Sequence, residues 1–175
     1  MKWITRERAV IDRVACPWLV TRWIDPAAEF LFVPTAEVFA TAAREGALAY
    51  DIPGAELSHV GERCSFDAFL ARYGLDDPAL SLLALVVRGA DTDRLDLAPQ
   101  CAGLLAVSLG MGRIADGDHQ LLERMLPVYD ALYAWARNAS GDHHLLERMF
   151  PVYDALYTWA RDAAGERHAW RPGGA

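Results

Sequence analysis

Glu56 and His59 stand three residues apart inside residues 51–69, D-I-P-G-A-E-L-S-H-V-G-E-R-C-S-F-D-A-F, with Glu62 and the Cys64 thiol close behind. A carboxylate and an imidazole together suit iron, manganese or zinc. Their i, i+3 spacing puts both on one face wherever the segment forms a helical turn. Pro53-Gly54 and Gly61 break any regular element, so the segment reads as a loop, where binding groups collect on a rigid scaffold. Two ligands do not make a metal shell. Asp91, in R-G-A-D-T-D at 88–93, and His119 are the candidates to complete it, with Cys64, Asp93 and Glu123 placed behind the ligands. Cys64 is kept out of the shell because a thiolate ligand favours zinc over a redox ion. The expected cofactor is a divalent transition metal, iron or manganese favoured and zinc possible. The plainer alternative stays open at this point: Glu56 caps a turn and His59 is a satisfied, half-buried histidine.

Cys16 is the candidate catalytic thiol. Pro17 suits the first turn of a helix, which would set Cys16 at the N-cap, where free backbone N–H groups and the helix dipole lower a thiol pKa and attract anions. Arg6, Arg13 and Arg22 lie around that helix start and carry the fork-shaped donors that a tetrahedral oxyanion takes. The competing reading makes Cys16 a small buried residue beside Trp18 and Trp23.

The elements that must position these groups are read from pattern. Residues 3–5, 29–33 and 47–50 are strands. A helix from Pro17 to Asp25 and another from Thr35 to Arg44, ended by Gly46, separate them, which gives a small three-stranded sheet with crossover helices, open to a parallel arrangement. Ser65 is expected as the N-cap of a helix over 66–73, and Asp77-Pro78 opens the next. Asp96 ahead of Pro99 reads as a cap for an apolar helix over 100–111, placed centrally in the core. The fold class is therefore α/β to α+β, mostly helical, with a helical C-terminal half ending in two duplicated amphipathic helices. One domain is expected over 1–175: sheet and helices over 1–50, a site loop over 51–64, core helices over 65–116, then the duplicated helices over 117–140 and 141–164.

Those last two segments are near copies, with five differences over a 24-residue period, at 120/144, 126/150, 134/158, 138/162 and 140/164. Leu121, Leu122, Met125, Val128, Tyr129, Leu132 and Tyr133 make a stripe at helical spacing, and Pro127 should bend it. Two units fall short of a solenoid. Copy one follows its connection directly and should pack on the core. Copy two should lean on copy one or mediate homo-oligomer formation, and it offers His143 as the alternative ligand to His119.

A net charge of −7 argues against direct nucleic-acid binding, and 53% hydrophobic with 23% charged residues is the balance of a folded globular protein. Three cysteines with no CxxC pair indicate neither a disulfide framework nor a zinc finger. The charged opening M-K-W-I-T-R-E-R and the short apolar runs predict a cytoplasmic protein with no membrane partner.

Four strings resemble the chromate-resistance family, specifically the ChrB C-terminal domain: D-R-V-A-C-P-W-L-V at 12–20 with R-W-I-D-P at 22–26, P-G-A-E-L-S-H-V-G-E-R-C-S-F-D-A-F at 53–69, V-R-G-A-D-T-D at 87–93, and Y-D-A-L-Y-A-W at 129–135. The resemblance implies a role in bacterial chromate resistance. Longer members with an added N-terminal region are linked to chromate-responsive regulation; that region is not matched here, so a transcriptional role is not carried over. The family pattern ends after one Y-D-A-L-Y-A-W helix. The expected function is a metal-binding domain carrying out redox or detoxification chemistry, with a small inorganic oxyanion such as chromate as partner. The alternative is a non-catalytic oxyanion sensor or accessory regulatory module, and whether the domain is an enzyme is left open.

Overall fold

The computed structural model describes residues 1–141. Three strands, β1 (Lys2–Arg6), β2 (Glu29–Val33) and β3 (Leu48–Ala49), form a parallel sheet in the order β2-β1-β3. Lys2 lies opposite Glu29 and Arg6 opposite Val33, while Trp3 and Ile4 pair with Leu48 and Ala49 on the other side. Successive side chains of a strand point to opposite faces, so the central β1 serves two cores. Trp3 packs in the large cluster with Trp18, Phe66 and Phe69, and Ile4 in a small one with Val38 and Ile52. The three-stranded parallel sheet and the predominance of helix agree with the sequence expectation.

Helix α1 runs Asp12–Leu19 and continues as a π turn over Val20–Ile24. It therefore starts five residues before Pro17, which sits inside it. A proline there removes the N–H that would reach the carbonyl of Arg13. The Tyr50 hydroxyl donates to that carbonyl instead, at 3.4 Å, which is why the helix tolerates it. The wider π turn orients Arg22, whose guanidinium grips Asp130 with two hydrogen bonds of 2.9 and 2.7 Å.

Helix α2 (Val38–Glu45), preceded by a 3-10 turn, ends at Gly46, whose φ of 63° is the left-handed cap glycine supplies. Helix α3 (Ser65–Tyr73) is capped by Cys64 rather than Ser65, because the Ser65 hydroxyl is drawn away to Asp51 at 2.7 Å. Helix α4 (Pro78–Asp91) starts as its sequence says: Asp77 Oδ1 accepts from Ala79 N at 2.7 Å and Leu80 N at 3.2 Å.

Helix α5 (Cys101–Ile114) corrects two expectations. Asp96 pairs with Arg94 at 2.9 Å instead of capping it. The helix is also peripheral, with Cys101, Leu104 and Ser108 buried and Val107, Leu109 and Ile114 exposed. Gly89 of α4 lets the two helices approach closely, since a Cβ there would stand 2.3 Å from the Cys101 sulfur. Helix α6 (Asp118–Gly141) is copy one and passes through Pro127. It buries Leu121, Leu122, Met125 and Tyr129 in the large core. Copy two and His143 lie outside the described residues. Among the described residues no helix is long and apolar enough to cross a membrane.

Candidate metal centre

In a parallel sheet of this kind ligands bind beyond the carboxyl ends of the strands, where consecutive crossovers leave in opposite directions. The order β2-β1-β3 puts that switch between β1 and β3. Arg6 ends β1, and Asp51 follows β3 by two residues. Asp12 opens α1 on the return from β1, and Asp91 closes α4. The loop after β3 brings the histidine. Ala55 N bonds Ile52 O at 3.0 Å, a turn with Pro53 and a positive-φ Gly54 in its middle. A second tight turn pairs Val60 with Arg63 around Gly61, and His59 stands at its entrance.

His59 Nε2 lies 3.1 Å from Asp91 Oδ2, 3.4 Å from Asp12 Oδ2 and 3.4 Å from Asp51 Oδ1. One ligand atom each from Asp12, His59 and Asp91 falls within 4.8 Å of the others. Each carboxylate is held. Asp12, buried, accepts from the α3 backbone at Ser65 N (2.5 Å) and Phe66 N (3.4 Å), the free donors of a helix N-terminus. Asp51, in left-handed backbone with φ 49°, accepts from Arg13 at 2.9 Å, Arg6 at 3.2 Å and the Ser65 hydroxyl. Asp91 Oδ1 accepts from Asp12 N at 3.4 Å.

The electrostatics follow from this crowding. Burial first, then the charges of Asp12 and Asp51, push the Asp91 carboxyl up to about 7, with His59 pulling the other way. The hydrogen bond to Asp12, joined by the Asp12, Asp91 and Asp51 charges, raises His59 to about 9 against the cost of burial. A single Nε2–H thus faces three carboxylate oxygens and can donate well to only one of them. Three hard oxygens and one imidazole nitrogen form a donor set that suits a divalent transition ion. With 41% of its side chain exposed, His59 leaves the cluster open to solvent on one side.

His59 and Asp91 are thus brought together, with Arg6 and Arg13 beside them on Asp51, while the other sequence candidates are placed elsewhere. Glu56 is 78% exposed and pairs with Arg72 at 3.0 Å. No helical turn forms between it and His59: Glu56 and Ser58 are bends on either side of a buried Leu57 that makes an isolated bridge to Tyr50. His119 packs edge-on against Phe32, at 5.3 Å between rings, and Glu123 is exposed on α6. Asp93 is exposed in left-handed backbone. Cys16 is inside α1 and wholly buried, so its expected place at a helix start is corrected. Burial and then the Asp12 charge hold its thiol well above the ordinary range. Cys64 is buried at the start of α3, its thiol raised by the same two causes. Arg6 and Arg13 converge on Asp51, whereas Arg22 is spent on Asp130.

Asp12 and Asp51 were not singled out from the sequence. Asp51 stands immediately beyond a strand of a parallel sheet, and Asp12 opens the first crossover helix, so the switch-point rule could have found both.

The family described as "ChrB, C-terminal domain" matches residues 3–136. The chain belongs to that family. Protein ChrB of Cupriavidus metallidurans is 36% identical to it over 133 residues, which make up 75% of this chain and 40% of that protein. No solved structure matches. The match to the ChrB C-terminal domain takes in all four cluster residues, Asp12, Asp51, His59 and Asp91, together with most of α6.

Proposed function

We propose that this ChrB C-terminal domain is a cytoplasmic chromate-resistance protein that binds a divalent transition metal through Asp12, His59 and Asp91, with Asp51 beside them, and uses it in redox or detoxification chemistry. The observation that carries the reading is the surplus of acceptors: three buried or half-buried carboxylates face one imidazole nitrogen at 3.1–3.4 Å. Leaving buried carboxylates without full compensation is costly, and a dication at the same place compensates them together. Iron or manganese matches the oxygen-rich set best, with zinc also accommodated. Such an ion supplies Lewis acidity or one-electron redox chemistry when bound.

The residues themselves orient the site. The α3 N–H groups fix Asp12, Arg6 and Arg13 fix Asp51, and Asp12 N fixes Asp91. His59, on a loop with one side open, is the ligand that meets solvent and any incoming anion. Arg6 and Arg13 each keep a buried Nε–H with no hydrogen-bond partner among the described residues, which supports a small oxyanion such as chromate as partner. The test is direct: the full chain, stripped with a chelator, is titrated with Mn²⁺, Fe²⁺ and Zn²⁺ alongside His59→Ala and Asp91→Asn. Saturable uptake that both substitutions abolish supports the reading. Uptake indifferent to both sinks it.

A further inference from the structure

The metal centre described above draws no residue from α6, and the contacts of α6 say what its second copy in the sequence can do. The buried positions of α6 are Leu121, Leu122, Met125, Tyr129, Ala136 and Ala139. Shifted by 24 residues they read Leu145, Leu146, Met149, Tyr153, Ala160 and Ala163, without one change. The polar anchors of α6 are Asp118, which accepts from Arg8 N and Ala9 N, Asp130, which takes Trp18 and Arg22, Tyr129, whose hydroxyl donates to Ile11 O, and Tyr133, whose hydroxyl donates to Asp77. Their counterparts are Asp142, Asp154, Tyr153 and Tyr157, again unchanged.

Four of the five differences between the copies fall on α6 residues whose side chains the structure describes. Gln120 and Leu126 are half-buried, and Ala134 and Asn138 are exposed. Gln120 spends its side-chain oxygen on Asp116 N, in its own connector. Only Leu126, replaced by Phe150 in copy two, packs against the core, and that change keeps an apolar side chain; no described difference falls on a fully buried position.

We propose that residues 142–163 are an interchangeable occupant of the α6 seat, so that the chain carries two copies of one segment competing for one groove. Copy one holds the groove because Gly117 joins it to α5 through a short connector, whereas seating copy two requires the 24 residues of copy one to close as a loop, which carries an entropy cost that grows only slowly with length. Damage to copy one that exceeds this cost shifts the seat to copy two. The chain is thereby buffered against lesions in a helix that would otherwise be indispensable to the core.

The experiment uses the full chain with Tyr129→Ala, Tyr153→Ala and both together, each followed by thermal unfolding. Tyr129 is wholly buried, so its loss leaves a large cavity if nothing replaces the helix. The expected result is a small downward shift of Tm for Tyr129→Ala, almost none for Tyr153→Ala, and a drop for the double variant far larger than the sum of the two. Asp130→Ala, Asp154→Ala and their combination should repeat the pattern on a polar anchor. If Tyr129→Ala alone lowers Tm as far as the double variant, or fails to fold, copy two does not reach the seat and the proposal is overturned. Additive losses overturn it as well.

Discussion

The charged cluster and the α6 seat are built in opposite ways. Asp12, Asp51, His59 and Asp91 come from three separate segments, the start of α1, the loop after β3 and the end of α4, and each has meaning only because the parallel sheet and its crossovers bring the segments together. The α6 contacts come from one continuous helix whose stripe can be read off the sequence with a period of 3.6. The first arrangement stores like charges that resist each other. The second stores apolar area with a few hydrogen bonds at its margins. Polar networks fail when one member is removed, whereas an apolar helix face loses stability in proportion to what is cut away.

The largest expected effect is therefore in the cluster. Asp12→Ala strips the α3 N-terminus of its acceptor and leaves His59 with one partner fewer, and should cost about 3 kcal/mol in urea unfolding. A loss no greater than that of a surface change would say the cluster is not a network. Next is Gly89→Ala on the helical side, where the new methyl would meet the Cys101 sulfur and the Arg94 carbonyl; overpacking of this kind costs about 2 kcal/mol. Asp77→Ala removes both the α4 cap and the acceptor for Tyr133, with an expected loss of about 1 kcal/mol.

The comparison also has a pH axis. His59 and Asp91 both have folded-state pKa values above their ordinary ones, so each favours the folded state when protonated. The stability contributed by Asp91 is present below its usual carboxylate value near 3.8 and is lost as pH rises through about 7. That of His59 is present below 6.5 and lost through about 9. The metal-free chain should thus lose stability from mildly acid to mildly alkaline pH, and His59→Ala should flatten the upper part of that fall. A metal-free chain that grows more stable between pH 6 and 9 would contradict the assigned directions. The smallest effect belongs to Glu56→Gln, which should change stability by less than about 0.5 kcal/mol and leave metal uptake untouched, because that side chain points to solvent beside Arg72.

What the sequence could tell divides along the same line. Strand Glu29–Val33, the Asp77-Pro78 helix start, the Gly46 stop and the α6 stripe are local patterns, and all are found where the pattern puts them. His59 and Asp91 were legible as chemistry, one on a loop of turn formers and the other in an acidic connector. Glu56 was a poor partner for His59 because its i, i+3 spacing has meaning only on a helix, and no helical turn forms between the two. Cys16 was misplaced because Pro17 reads as a helix start unless a distant tyrosine is known to satisfy the carbonyl it orphans. Asp12 and Asp51 needed the strand order before their positions meant anything. The central placement expected for α5 failed for a different reason: an apolar helix of small residues can pack one narrow face and leave the rest in solvent.

The central claim is that Asp12, His59 and Asp91 hold a metal ion. The measurement closest to it is elemental analysis of the full chain, purified without affinity-tag metals and then equilibrated with Fe²⁺ or Mn²⁺, beside His59→Ala treated identically and checked for an unchanged helical signal by circular dichroism. The account predicts a single ion per chain in the parent and none above background in the variant. A parent that takes up no ion, or a His59→Ala chain that keeps its full complement, would contradict it.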